Sequence, residues 1–298
     1  MFDQDLIKLS PRYCKSQWVC PPQRKDQQLI VFICPHGGEG KLFLEHYQEI
    51  FAAFPGDRKS FFQNYLDIEQ DKGAWEWTTE ICNQMKLENQ DIAILKVLFD
   101  FPRGVLDGGR KVEYCIGEML PKFLLDKYSI EWRKIQSDLI QYLECVYQEV
   151  RRTQGLLLDL HTMAPHCRID EEPRIYDLLE RYLDSYSVMD GARRSWDLIV
   201  GEKDGVILAD KKMMTMMCES LVESDVSYKI NDPYPAAPAY LMHLHMSKCP
   251  TIAIDIPKTE LCDSSRSWSL NDFDVDPNRV KFCAAIVVKA LKKWMGCV

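Results

Sequence analysis

The stretch 29–39, LIVFICPHGGE, decides how the rest of the chain is read. Leu29 to Cys34 is an unbroken apolar run, the pattern of a strand buried on both faces of a sheet. It ends at Pro35-His36-Gly37-Gly38-Glu39, where paired glycines let the backbone turn tightly and approach a ligand closely. A second run, LLLDLHT at 156–162, also carries a histidine, His161, where a buried strand ends. Ligands in α/β folds gather at such strand ends. His36 and Glu39, three residues apart, together with the distant His161, offer Zn²⁺ two imidazoles and a carboxylate. That set leaves the fourth metal position open, as in a catalytic rather than a structural zinc site. The competing reading is two strand-end turns that coordinate nothing.

Working outward, apolar runs alternate with amphipathic stretches. Strands are predicted at Gln28 to Cys34, Ile92 to Phe99, Gly155 to Leu160, Asp197 to Gly201 and Thr251 to Ile256. Helices are predicted at Leu42 to Phe54, Trp75 to Lys86, Lys211 to Glu223 and Pro277 to Met295. A long amphipathic helix is predicted over Ile130 to Arg152, with Ile135, Leu139, Leu143, Val146 and Val150 on one face. Strands alternating with helices of this length predict an α/β fold, a mostly parallel or mixed central sheet covered on both faces. No repeat, low-complexity segment or linker interrupts residues 1–298, and the Asp/Ser-rich stretch from Asp263 to Asp276 reads as a loop. One domain is expected.

Composition narrows the function classes. The 298 residues are 46% hydrophobic and 28% charged, ordinary for a globular protein. A net charge of −8 without a dense Lys/Arg stripe argues against nucleic acid as a partner. Twelve cysteines occur with no Cys-x-x-Cys pair, and no signal peptide is read at the N-terminus. Free thiols in a reduced, cytoplasmic setting are the expectation. No apolar run reaches the roughly 20 residues that span a bilayer, so no membrane association is expected.

Two further groups bear on chemistry. Asp159 lies two residues before His161, on the same side of the strand if the strand runs that far, and can receive the outer N–H of a metal-bound histidine. Phe101 to Arg110, FPRGVLDGGR, sets Arg103 and Arg110 around Asp107 just beyond a strand. Arginine suits a two-bond grip on a carboxylate, and an ordinary surface Arg–Asp pair is the alternative.

These blocks, in order, resemble the N-formylglutamate amidohydrolase family, relatives of the zinc carboxypeptidases and of the aspartoacylase and succinylglutamate desuccinylase group. The chain offers PHGGE at 35–39, DKGAW at 71–75, RGVLDGGR at 103–110 and DLHTM at 159–163. DLIVGEKDG at 197–205, NDPY at 231–234 and AIDIPKTEL at 253–261 follow. The resemblance covers roughly residues 29–262 and implies a three-layer αβα, zinc carboxypeptidase-like fold.

It further implies zinc held by His36, Glu39 and His161, with Asp71 a rival to Glu39. Arg103 and Arg110 are then placed near the carboxylates of an acidic small-molecule or peptide-like substrate, with Asp107 orienting them. Asp255 is the implied general base, with Glu260 as the alternative. Tyr240 and His243 belong to a segment implied to form a lid or proton donor. Two departures stand out: Gly109 replaces an Asn in the family's Asp-x-Asn-Arg, and Asp255 replaces a Glu. The reaction implied is metal-assisted hydrolysis of the amide of an N-acyl amino acid. The departures motivate a second reading, a catalytically weakened member that binds an acidic ligand or a protein partner.

Overall fold

The run Leu29–Cys34 lies at the middle of a seven-stranded sheet, and each of its residues is buried. A computed structural model of the chain describes residues 4–38, 40–54, 56, 58–88, 91–166, 175–187, 192–263 and 274–296. The strands are β1 (Cys14–Cys20), β2 (Leu29–Cys34), β3 (Ala93–Phe99), β4 (Leu156–Met163), β5 (Trp196–Ile199), β6 (Glu202–Lys203), β7 (Val206–Ile207), β8 (Tyr228–Ile230) and β9 (Thr251–Pro257). The helices are α1 (Lys41–His46), α2 (Gln48–Ala52), α3 (Arg58–Glu69), α4 (Ala74–Glu88), α5 (Lys122–Arg152), α6 (Leu179–Ser187), α7 (Lys211–Glu223), α8 (Leu241–Lys248) and α9 (Pro277–Met295).

The sheet runs β1-β3-β2-β4-β9-β5-β8, with β6 and β7 forming a separate hairpin. β3, β2, β4 and β9 are parallel, whereas β1 is antiparallel to β3 and β5 is antiparallel to β9. The sheet is therefore mixed, with a parallel centre. Alternate residues of the central strands face opposite cores, as a period of two dictates. Ile30, Phe32 and Leu158 join Trp77, Met213 and Val287 from α4, α7 and α9 on one face. Val31, Leu95 and Leu157 join Phe62, Leu139 and Tyr182 from α3, α5 and α6 on the other. Burial on both faces explains why these strands read as continuous apolar runs.

The structure differs from the sequence reading at particular places. The helix expected over Leu42 to Phe54 breaks at Tyr47, whose backbone leaves the helical region at φ −114°, ψ 34°. Its ring packs on Phe43 and Trp132 and its hydroxyl donates to Glu131 at 2.6 Å, so a core anchor interrupts the helix. α5 begins eight residues earlier than the periodicity from Ile130 indicates, directly after Pro121. β4 continues through His161 to Met163, which puts Asp159 and His161 on one side of one strand. Among the described residues, no helix is long and apolar enough to cross a membrane.

Candidate metal centre

Four segments meet at the C-terminal ends of β2, β3, β4 and β9. His36 follows β2 after one residue, and the turn that carries it lies hard against the end of β3. A Cβ on Gly38 would fall 2.5 Å from Cα of Asp100, so only glycine fits this approach. Asp71 enters from the loop between α3 and α4, where its N–H donates to the carbonyl of His36 at 3.1 Å. His161 projects from β4 beside Asp255 of β9, its partner in the parallel register.

His36, Asp71 and His161 are all buried, and they offer ligand atoms lying within 4.8 Å of one another. Nδ1 of His36 lies 3.3 Å, and Nδ1 of His161 3.1 Å, from the same oxygen of Asp71, Oδ2. The outer nitrogens meet carboxylates as well. His36 Nε2 donates to Oδ1 of Asp107 at 2.7 Å, and His161 Nε2 stands 3.1 Å from Oδ1 of Asp159. That second approach is off the hydrogen-bond axis, so the two buried atoms meet as an ion pair and find no hydrogen bond among the described residues.

Electrostatics follow from this crowding. Burial pushes the Asp71 carboxyl up, but His36, His161 and Arg103 reverse that and hold it well below the usual carboxylate range. Burial pushes His161 down, yet Asp159 and Asp71 raise it well above an ordinary histidine. His161 thus carries a proton between two carboxylates, where a metal cation would compete with it. Two imidazoles and one carboxylate around a common point are a donor set that fits a divalent transition metal such as zinc. Both rings are also steadied from behind by carboxylates, the usual arrangement for metal-bound histidines.

Asp107 does more than receive His36. Its Oδ1 also accepts from the N–H of Gly109 at 2.9 Å, and its Oδ2 pairs with Arg110 Nε at 3.1 Å and Arg103 Nε at 3.7 Å. Arg103 reaches Asp71 at 3.4 Å and Glu69 at 3.9 Å. Arg110 lies over the Tyr240 ring at 4.5 Å and donates to its hydroxyl at 3.4 Å. Arg103, Arg110, Asp107 and Glu69 line a small, partly open cleft with Tyr114 and Glu118.

Asp255 is buried, and its Oδ1 has no hydrogen-bond partner among the described residues. Burial raises its carboxyl to about 7, with the charges of Asp71 and Asp197 adding to the shift while His161 and Arg103 oppose it. A carboxyl held there can give or take a proton near neutral pH.

The remaining sequence candidates sit as follows. Glu39 lies outside the described residues. Glu260, in the single turn after β9, pairs with Arg193 at 3.4 Å rather than joining the histidines. Nδ1 of His243 donates to the carbonyl of Ala236 at 3.0 Å. The histidine of α8 that turns inward is His245, two residues on. Sequence reading passed over it, over Tyr147 and over Glu69, because each belongs to a helix whose rotation is set by packing.

No protein-family profile matches the chain, and no curated protein sequence matches it. Solved structures do. An N-formylglutamate amidohydrolase from Ralstonia eutropha JMP134 aligns over 95% of this chain and 99% of its own, with a TM-score of 0.53 at 13% identity. A carboxypeptidase A from Helicoverpa armigera aligns over 98% of this chain and 70% of its own, with a TM-score of 0.46 at 11% identity. A succinylglutamate desuccinylase from Chromobacterium violaceum aligns over 93% of this chain and 63% of its own, with a TM-score of 0.40 at 10% identity. The first of these bears the name of the family that the sequence blocks resemble, and what it shares with this chain is the α/β fold.

Proposed function

We propose that the chain is one catalytic unit, a zinc-dependent amidohydrolase acting on an N-acyl amino acid or peptide-like amide of the N-formylglutamate kind. The observation that carries this reading is the convergence of His36 and His161, each through Nδ1, on one oxygen of Asp71 at the strand ends. The first structural neighbour, an N-formylglutamate amidohydrolase by name, supports the substrate class. His36, His161 and Asp71 would hold the metal, with Glu39 the alternative carboxylate from the His-x-x-Glu spacing. Zinc held there supplies a Lewis acid that polarises the amide carbonyl and makes water a better nucleophile at neutral pH.

The chain's own residues divide the remaining work. Asp255, with its free Oδ1 and raised pKa, takes the proton from the attacking water and passes it to the leaving amine. Glu260, paired with Arg193, is the weaker candidate for that role. Arg103, half-buried beside Asp71, stabilises negative charge developing on the carbonyl oxygen. Arg110, held by Asp107 and stacked on Tyr240, grips a substrate carboxylate from the cleft. His243, bonded to Ala236, steadies the segment that carries Tyr240.

The weakened-member reading is favoured by one feature. A Cβ at Gly109 would lie 3.0 Å from the His36 ring, so the amide side chain of the family pattern would crowd that ring and require it to shift. Turnover of a panel of N-acyl amino acids, acidic and neutral, with and without chelator, separates the two readings. Chelator-sensitive hydrolysis that favours acidic substrates is expected. No turnover of any member by zinc-loaded protein would establish the binding role instead.

A further inference from the structure

Behind His161, beyond its Nε2, lies a line of buried polar groups that the proposed reaction does not use. Asp159 of β4, His245 of α8 and Tyr147 of α5 are each nearly or fully buried. Nε2 of His245 stands 3.6 Å from Oδ2 of Asp159, too long for a hydrogen bond but close enough for an N–H dipole to act on the carboxylate. Nδ1 of His245 lies 2.5 Å from the hydroxyl of Tyr147, and the two rings meet edge to face at 5.4 Å.

The protons on this line follow from what each group can accept. Burial lowers His245 to about 4, so its ring is neutral at pH 7 and carries one proton. Burial, with Cys249 and Asp159 nearby, raises Tyr147 well above an ordinary tyrosine, so its hydroxyl keeps its proton. If His245 held its proton on Nδ1, its Nε2 lone pair would face the Asp159 carboxylate. If Tyr147 donates to Nδ1, the ring proton sits on Nε2 and faces Asp159, which removes that repulsion.

We propose that Tyr147 and His245 are positioning residues: a neutral, buried brace that fixes the His245 tautomer and orients Asp159. Its other oxygen then meets Nε2 of His161 and aims Nδ1 of that ring at the metal centre. The inference rests on the metal reading above for its consequence, but not for the tautomer itself. Carboxylates behind metal-bound histidines typically change metal affinity ten- to a hundred-fold when lost, and a group that only orients such a carboxylate acts at the lower end.

Two measurements test the brace. ¹⁵N NMR of metal-free, histidine-labelled wild type is expected to show His245 neutral and protonated on Nε2, with that signature lost in Tyr147→Phe. Zinc affinity, read by competition with a chromophoric chelator, is expected to fall about ten-fold in Tyr147→Phe. It should fall further in His245→Leu, and less in His245→Gln, whose amide can still donate toward Asp159. An Nδ1-protonated or charged His245 in wild type overturns the proposal, and does so whether or not any variant folds. Unchanged zinc affinity in all three variants also overturns it and makes the pair ordinary core. Wild type that takes up no zinc would sink the metal reading alone, leaving the His245 tautomer to decide the brace.

Discussion

On the His36 side of the centre, the carboxylate behind the ring is Asp107, steadied by two arginines and a backbone N–H at the wall of a small, partly open cleft. On the His161 side the carboxylate is Asp159, surrounded by the neutral pair His245 and Tyr147 in the interior. The two histidines face one oxygen of Asp71 and are backed by the same kind of group, yet that group is held by cationic side chains on one side and by a neutral pair on the other, and the two differ in solvent access. Guanidinium groups can serve at a cleft because part of each stays wet and can also meet a ligand. In the dry interior a further charge would carry a desolvation cost of several kcal/mol, so a hydroxyl and a neutral imidazole do the orienting. On the proposed function, one arm would join metal binding to substrate binding, while the other would bear on the metal alone.

The largest effect expected is on the centre that both arms share. His36→Ala and His161→Ala should each lose zinc and all activity, with about one zinc per chain in wild type by elemental analysis. Asp71→Ala should do the same if it supplies the carboxylate. Full zinc content in that variant, with loss in Glu39→Ala, would return the role to the His-x-x-Glu motif.

Asp255 belongs to neither arm, and so separates chemistry from bracing. Asp255→Asn keeps size and polarity but cannot take a proton at neutral pH. It should lower kcat by roughly 10² to 10⁴ with zinc retained, the usual scale of general acid–base catalysis. An unchanged kcat here, with a large loss in Glu260→Gln, would move the base to the residue paired with Arg193.

The smallest of the three effects bears on the contrast itself. Asp107→Asn and Asp159→Asn should each weaken zinc about ten- to a hundred-fold. Only Asp107→Asn should also raise KM more for acidic than for neutral substrates, because it alone loosens Arg110, while Arg103 keeps Asp71 and Glu69. Equal KM profiles for the two variants would mean that the arginines are structural.

What the sequence by itself determined is local. Unbroken apolar runs placed β2, β3, β4 and β9 to within a residue or two at most ends. Lys211–Glu223 and Pro277–Met295 matched in full, because Asp210 and Asp276 cap their first turns and Gly296 ends the second. The strand-end positions of His36 and His161, and the Arg103–Asp107–Arg110 group, were likewise legible as short patterns. Only the tertiary structure decided which distant side chains complete the centre. Asp71 reaches it because its loop docks on the carbonyl of His36, and Asp255 because β9 pairs with β4 in one register. His245 rather than His243 turns inward because α8 packs Leu241 against one core and Met242 and Met246 against the other. Pattern fixes where a strand or helix ends, since that depends on neighbours in the chain. Strand register, helix rotation and loop docking depend on contacts between residues far apart in it, and those choose among carboxylates and histidines that look alike in sequence.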